Sequence, residues 1–115
     1  MDDVRRRLLA DLATSEERVL GLEADLAQVI SASESSNADD EHDPEGATIA
    51  FERQQLSSLL IRSRRTRSDL TSSLARLDDG SYGSCRHCGR PISAARLEAR
   101  PQARSCIDCA RAGPD

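Results

Sequence analysis

All four cysteines of this 115-residue chain lie near its C-terminus, in two C-x-x-C pairs. The pairs are Cys85 with Cys88 and Cys106 with Cys109, separated by a 17-residue spacer. Two intervening residues let both sulfurs of a pair face one ion, and this spacer lets the second pair complete a tetrahedron. Four thiolates suit Zn²⁺ better than hard cations, and they leave no coordination position open for water or substrate. The spacing therefore predicts one structural zinc ion.

The residues around the pairs refine this prediction. Gly89 follows the first pair and supplies a residue that is free to take positive φ where the chain turns. His87 lies inside the first pair, but with four thiolates available we interpret it as an exposed side chain. A thiol switch on the same cysteines is the alternative to a purely structural role. We expect the nearby apolar side chains to pack around the cysteines and against the end of the preceding helix: Tyr82, Ile92, Leu97 and Ile107 against Leu74 and Leu77.

Two stripes of mostly apolar residues precede the cysteines, with steps that alternate between four and three residues. This spacing is typical of coiled-coil helices. The fold class is therefore predicted as mainly α: a long antiparallel coiled-coil hairpin over residues 1–78 and a small four-cysteine zinc-finger region over residues 79–115. A parallel coiled coil between two chains is the alternative. The stripes are Leu8, Leu12, Ser15, Val19, Leu22, Leu26 and Val29, and then Ile49, Arg53, Leu56, Leu60, Ser63, Arg67, Leu70, Leu74 and Leu77.

Residues 31–46 separate the two stripes and contain no Lys or Arg. Pro44 and Gly46 mark a turn, so the segment is predicted to be an acidic loop at the tip of the hairpin. From the residues alone, a solvated linker and a functional acidic tip fit equally well. The acidic residues of interest are Asp39, Asp40, Asp43 and Glu45.

Composition restricts the possible functions. With 37% hydrophobic and 2% aromatic residues, the chain cannot build a large core. A net charge of −4 gives no overall attraction to nucleic acid or to a membrane. The first residues lack the apolar run of a signal peptide, which favours a cytoplasmic protein with reduced thiols. No nucleophile–base pair or open metal position indicates an enzyme. A DNA-binding zinc protein and a zinc-stapled adaptor or redox sensor stay open at this point.

From residue 80 to residue 109 the chain reads GSYGSCRHCGRPISAARLEARPQARSCIDC. This block resembles the DksA/TraR family of bacterial transcription regulators, and the hairpin before it matches in architecture and order. The resemblance implies binding to RNA polymerase, with no direct DNA contact required and no membrane partner. The zinc region would dock at the rim of the secondary channel, while the coiled coil would enter the channel and bring its acidic tip toward the active centre. In contrast to the fuller members of the family, we expect no separate N-terminal segment before the hairpin and no longer C-terminal helix over residues 110–115.

The same resemblance assigns candidate contact residues. The tip pattern of the family is D-x-x-D-x-A, and here Asp40 and Asp43 are followed by Glu45 where Ala belongs. In the other register Glu45 and Ala47 supply an acid and an Ala, but His42 lies three residues before the acid, so neither register of the pattern is complete. The tip candidates are Asp39, Asp40, Asp43, Glu45 and Ala47, and the candidates for docking or anion contact are Arg96 and Arg100.

Some family members cooperate with guanosine tetraphosphate through three basic positions beside the zinc region. Arg100 matches one of these positions, whereas Asp69 and Ala110 occupy the other two. Because two of the three phosphate-binding charges are missing, we expect weak or no dependence on this alarmone.

Overall fold

The computed structural model describes residues 2–35 and 44–113. Four helices form: α1 (Asp2–Ser35), α2 (Pro44–Asp79), α3 (Ala94–Ala99) and α4 (Ile107–Ala112). Over these two ranges the only β-type pairing is an isolated antiparallel bridge between Ser84 and Pro91. The predicted class is confirmed, with a long helical hairpin followed by a four-cysteine region. None of the helices described here combines the length and apolar character needed to cross a membrane.

The prediction of a loop over residues 31–46 is wrong at both ends, because residues 31–35 belong to α1 and residues 44–46 belong to α2. Pro44 is compatible with the first helical position, where its missing N–H would have no partner in any case. Glu45 follows in the first turn of α2, where a carboxylate interacts favourably with the helix dipole. Glu45 and Ala47 are both exposed. The candidates Asp39, Asp40 and Asp43 lie outside the described residues.

One compact unit comprises residues 1–14 and 66–115. Leu8 of α1 and Leu70 of α2 are almost completely buried in it, and Ile92 of the cysteine region is 5% exposed. An ion pair of 2.9 Å joins Arg5, near the start of α1, to Asp78, near the end of α2. The cysteine region therefore shares a unit with the ends of both long helices, and the boundary proposed at residue 78 stays a prediction.

The second compact unit comprises residues 15–65. Val19 and Leu60 are buried in it, and so are the polar stripe residues Ser15 and Ser63. A small hydroxyl side chain fits where two helices lie close together, so these serines interrupt the apolar stripe without leaving the interface. Across the helix pair, Arg64 Nη2 lies 3.1 Å from Glu23 Oε2.

Candidate metal centre

The first cysteine pair is held in a tight turn between Ser84 and Pro91, which form an isolated antiparallel bridge. The N–H of Cys85 donates to the carbonyl of Arg90 at 2.8 Å, and the N–H of Gly89 donates back to the carbonyl of Cys85 at 3.0 Å. Gly89 has φ +76°, which confirms the predicted left-handed turn. The amide of His87 also points at the sulfur of Cys85, at 3.4 Å. Backbone hydrogen bonds thus fix this pair and orient one of its sulfurs.

The second pair is positioned by a helix start. Cys106 is the N-cap residue of α4, and Cys109 lies within that helix. The N–H of Ala110 donates to the carbonyl of Cys106 at 2.9 Å, which closes the turn that contains both cysteines. Helical geometry therefore brings these two sulfurs to the same end of α4.

Three hydrogen bonds hold the spacer between the pairs. Ser93 caps α3 by accepting from the N–H of Arg96 at 3.2 Å. Arg96 then donates through Nε to the carbonyl of Ser105 at 2.9 Å, immediately before the second pair. The phenol of Tyr82 donates to the carbonyl of Pro101 at 2.8 Å. These bonds connect α3 and the following turn to both pairs.

All four predicted ligands meet in one cluster, with their sulfurs within 4.8 Å of one another. The Sγ atoms of Cys88 and Cys106 are 3.8 Å apart, and none of the four thiols is in a disulfide. A tetrahedral ion with Zn–S bonds of about 2.3 Å requires sulfurs about 3.8 Å apart. The donor set and its dimensions therefore fit one Zn²⁺, and the four filled positions give the ion a structural role.

Without bound metal, the thiols of Cys85 and Cys109 have very different pKa values. Hydrogen bonds to its sulfur, first from the amide of Cys88 and then from those of Cys106 and His87, lower the pKa of Cys85 to about 6. Hydrogen bonding with the thiols of Cys106 and Cys85 raises the pKa of Cys109 to about 12. Backbone N–H groups thus favour the thiolate form of Cys85, whereas the neighbouring thiols favour the protonated form of Cys109. A divalent cation removes this difference by binding all four as thiolates.

The cysteine region is connected directly to the long helices. Gly80 ends α2 with φ +83°, and the N–H groups of Ser81 and Tyr82 donate to the carbonyl of Arg76 at 3.0 and 3.1 Å. Arg7 of α1 donates through its guanidinium to the carbonyl of Glu98 in α3. Contacts from α1 and α2 thus fix the start of the cysteine region and its short helix.

A buried arginine beside this region was not evident from the stripe pattern. Arg76 is 8% exposed, and its Nε and Nη1 atoms have no hydrogen-bond partner, although Nη2 lies 3.4 Å from Ser73 Oγ. Burial, followed by repulsion from Arg86 and Arg104, lowers the pKa of Arg76. Asp69 supplies opposite charge and lies 3.4 Å from Arg104 Nη1. No sequence signal distinguished Arg76 from the exposed arginines, because its burial depends on the packed cysteine region.

The apolar residues that we expected to pack around the cysteines are only partly placed as predicted. Ile92 is buried and Leu97 is half-buried, but the prediction for Ile107 is wrong because this side chain is 45% exposed. Ile107 begins the short helix α4, which is positioned by the cysteine pair. His87 is exposed, and Arg100 is exposed at the C-cap of α3. The tip and docking assignments stay predictions.

Comparison with known proteins agrees with this geometry. Residues 80–112 match the model of the prokaryotic DksA/TraR C4-type zinc finger. A protein of Caulobacter vibrioides named RNA polymerase-binding transcription factor DksA is 47% identical over 47 residues, which are 41% of this chain and 33% of that protein. The protein of the same name from Haemophilus influenzae is 38% identical over 69 residues, 57% of this chain and 48% of that protein. The matches thus span a third to a half of these relatives.

Solved structures extend the similarity to nearly the whole chain. Transcription factor DksA2 from Pseudomonas aeruginosa has a TM-score of 0.74 at 27% identity, covering 96% of this chain and 80% of that one. The DnaK suppressor protein from Agrobacterium tumefaciens has a TM-score of 0.60 at 26% identity, covering 97% and 92%. The finger match and the fold match lead to the same group of proteins: residues 80–112 match the DksA/TraR zinc finger, and the fold of nearly the whole chain is similar to that of transcription factor DksA2.

Proposed function

We propose that this protein regulates transcription by binding RNA polymerase. The observation that carries the proposal is the four-cysteine centre of residues 80–112, which matches a finger found in relatives named as RNA polymerase-binding factors. In the proposed mechanism, the zinc region docks at the rim of the secondary channel. The acidic residues before and at the start of α2 then approach the active centre, where their charge acts on the promoter complex. The protein works without catalysing a reaction and does so in the cytoplasm.

The exposed residues at the start of α2 support the proposed tip. Glu45 and Ala47 are accessible in the first turn, and the sequence places Asp40 and Asp43 shortly before them. A carboxylate in this position can interact with a metal ion or with basic groups of a partner. We assign Asp39, Asp40, Asp43, Glu45 and Ala47 to this contact.

The two arginines of the zinc region proposed for docking differ in how available they are to a partner. Arg100 is exposed and is available to a carboxylate or a phosphate of a partner. Arg96 already donates through Nε to Ser105, so its first task is to hold the spacer, and only its terminal nitrogens can serve a partner. We therefore propose Arg100 as the main docking contact, with Arg96 in support.

The test compares the zinc-loaded protein with a variant in which Asp40, Asp43 and Glu45 are all changed to Ala. Binding to purified RNA polymerase and promoter transcription are measured for both proteins. We expect the variant to bind polymerase and to lose its effect on transcription. Glu52→Ala removes another exposed acid of α2 and serves as the matched control, with both properties retained.

Absence of polymerase binding by the zinc-loaded wild type would overturn the proposal. Binding to DNA without polymerase, with a steep loss of affinity as salt rises, would indicate a DNA-binding zinc protein instead. Full regulation by the triple variant, combined with loss of regulation on thiol oxidation, would indicate an adaptor or redox sensor.

A further inference from the structure

The exposed arginine proposed for docking follows a short helix that has little apolar packing of its own. Helix α3 has only six residues, and none of these six is buried. A helix of this length is not stable by itself in water, so bonds to other parts of the chain must hold it in place. Arg100 is its C-cap residue, with an exposed side chain. The direction in which Arg100 is presented therefore depends on what fixes the backbone around it.

Two side chains from other elements bind the backbone on either side of Arg100. The guanidinium of Arg7, in the second turn of α1, donates to the carbonyl of Glu98, two residues before Arg100. The phenol of Tyr82, shortly after the end of α2, donates at 2.8 Å to the carbonyl of Pro101, the next residue after Arg100. Carbonyls in the last turn of a helix have no intrahelical partner, so Arg7 acts as a cap for α3.

The donors and acceptors of both bonds line one cleft. This cleft has a volume of about 360 Å³ and lies between the start of α1 and α3, with Arg7, Tyr82, Glu98 and Pro101 in its wall. Because the cleft separates part of the two helices, apolar packing between α1 and α3 is incomplete. Leu97, which also lines the cleft, is only half-buried. The two hydrogen bonds thus supply a connection that apolar packing leaves incomplete.

Backbone bonds of Arg100 itself complete this arrangement. Its N–H donates to the carbonyl of Arg96 at 2.7 Å, and its carbonyl accepts from the N–H of Ala103 at 3.0 Å. Ala103 is buried, at 6% exposure, which fixes the far end of the turn. Loss of the bond from Arg7 or from Tyr82 would release one side of the turn, and the side chain of Arg100 would then sample more directions.

We propose that Arg7 and Tyr82 are positioning residues for Arg100. By holding the carbonyls of Glu98 and Pro101, they fix the direction in which the guanidinium of the docking residue meets a carboxylate of the partner. Such preorganisation lowers the conformational entropy that binding must remove. Arg7 and Tyr82 act through Arg100 and do not contact the partner themselves. The inference rests on the docking role proposed for Arg100 and adds the residues that set its geometry.

Four single variants separate positioning from a general effect of charge. Arg7→Met removes the donor from α1, and Arg7→Lys keeps a positively charged donor. Tyr82→Phe removes only the hydroxyl group and keeps the ring. Arg6→Met is the matched control, because it removes the same charge from the neighbouring residue, whose guanidinium faces Asp3 within α1. Zinc content and helix content are measured for each variant.

The structural measurement is amide hydrogen exchange of the zinc-loaded full chain. Exchange at the N–H groups of Arg100 and Ala103 should accelerate by about two- to tenfold, the range expected for the loss of one hydrogen bond. We expect this acceleration in Arg7→Met and in Tyr82→Phe. Arg7→Lys should restore most of the protection, and Arg6→Met should exchange like the wild type. Unchanged exchange in both Arg7→Met and Tyr82→Phe would overturn the proposal.

Binding to purified RNA polymerase is the functional measurement, made in the wild-type background and in Arg100→Ala. Arg7→Met and Tyr82→Phe should each weaken binding by about two- to tenfold in the wild-type background and have no further effect in Arg100→Ala. Additive losses would overturn the proposal, because they would show an action on the partner that does not involve Arg100. If the wild type does not bind polymerase, the proposed function is wrong, and exchange at Arg100 by itself decides whether Arg7 and Tyr82 hold this turn.

Discussion

The N–H of Arg86 donates to the carbonyl of Arg104 at 2.9 Å, and this backbone bond joins the first cysteine pair to the segment before the second pair. Arg86 lies inside the first cysteine pair, and Arg104 lies two residues before the second. The bond aligns the two chain segments so that four sulfurs converge on one point. Both residues act here through their backbone, while the side chain of Arg104 pairs with Asp69.

Removal of zinc should unfold the cysteine region before the long helices. Structural zinc contributes about 10–16 kcal/mol of apparent binding free energy, and little apolar surface is available here to replace it. Hydrogen exchange should therefore accelerate at residues 84–92 and 103–110 after chelation, while the buried part of α2 near Leu60 stays protected. His87→Ala should retain one zinc per chain, whereas Cys109→Ser should not. Unchanged exchange in verified zinc-free protein would contradict a structural role for the ion.

Zinc affinity should decrease as the pH is lowered, and the pH range of the decrease depends on the different pKa values of the thiols. The pKa of Cys85 is lowered to about 6, so this thiol is already ionised at pH 7 in the metal-free protein. The pKa of Cys109 is raised to about 12, so this thiol must lose a proton when zinc binds. We expect Cys109 to release its proton on zinc binding at every pH up to neutral, and Cys85 to release a further proton only below about pH 6. Calorimetric titration in buffers of different ionisation enthalpy measures the number of protons released per zinc, and release of four at pH 7.5 would show that Cys85 is not preionised.

Arg76→Met should stabilise the protein. The substitution keeps an unbranched side chain in the buried site and removes a charge whose Nε and Nη1 have no hydrogen-bond partner. A buried unpaired donor costs about 1–3 kcal/mol, so the free energy of unfolding should rise by about 1 kcal/mol or more. Chemical denaturation of zinc-loaded protein provides the measurement, with Arg90→Met as the exposed control. A clear loss of stability would mean that the guanidinium has a favourable electrostatic role beside the zinc centre.

If the protein regulates transcription as proposed, guanosine tetraphosphate should have little or no influence on that regulation. Asp69 places a negative charge at one of the phosphate-binding positions expected for the family and holds Arg104 at 3.4 Å, while Ala110 contributes no charge at another. Transcription with and without the alarmone measures the dependence. The double variant Asp69→Lys, Ala110→Lys should gain sensitivity relative to Asp69→Asn, Ala110→Gln. A strong response of the wild type would show that Arg100 and other groups bind the alarmone without these two charges.

The sequence by itself determined the metal centre and the class of fold. Cysteine spacing specifies a metal site because ligand number and loop length are local properties, and Gly89 marks a turn that requires positive φ. The two stripes likewise predicted paired helices, since helical periodicity is written in the spacing of apolar residues. Their ends were less predictable. Helix α1 continues to Ser35 and α2 begins at Pro44, because polar composition alone does not stop a helix.

Only the tertiary structure decided which polar residues are buried and which apolar residues are exposed. Arg76 and Ile107 are both on helices with ordinary local sequences, yet Arg76 is 8% exposed and Ile107 is 45% exposed. Their environments depend on segments distant in the chain, since the carbonyl of Arg104 meets Arg86 and α1 reaches Glu98. Spacing identifies residues that share a side of a helix. Which side is covered follows from long-range packing.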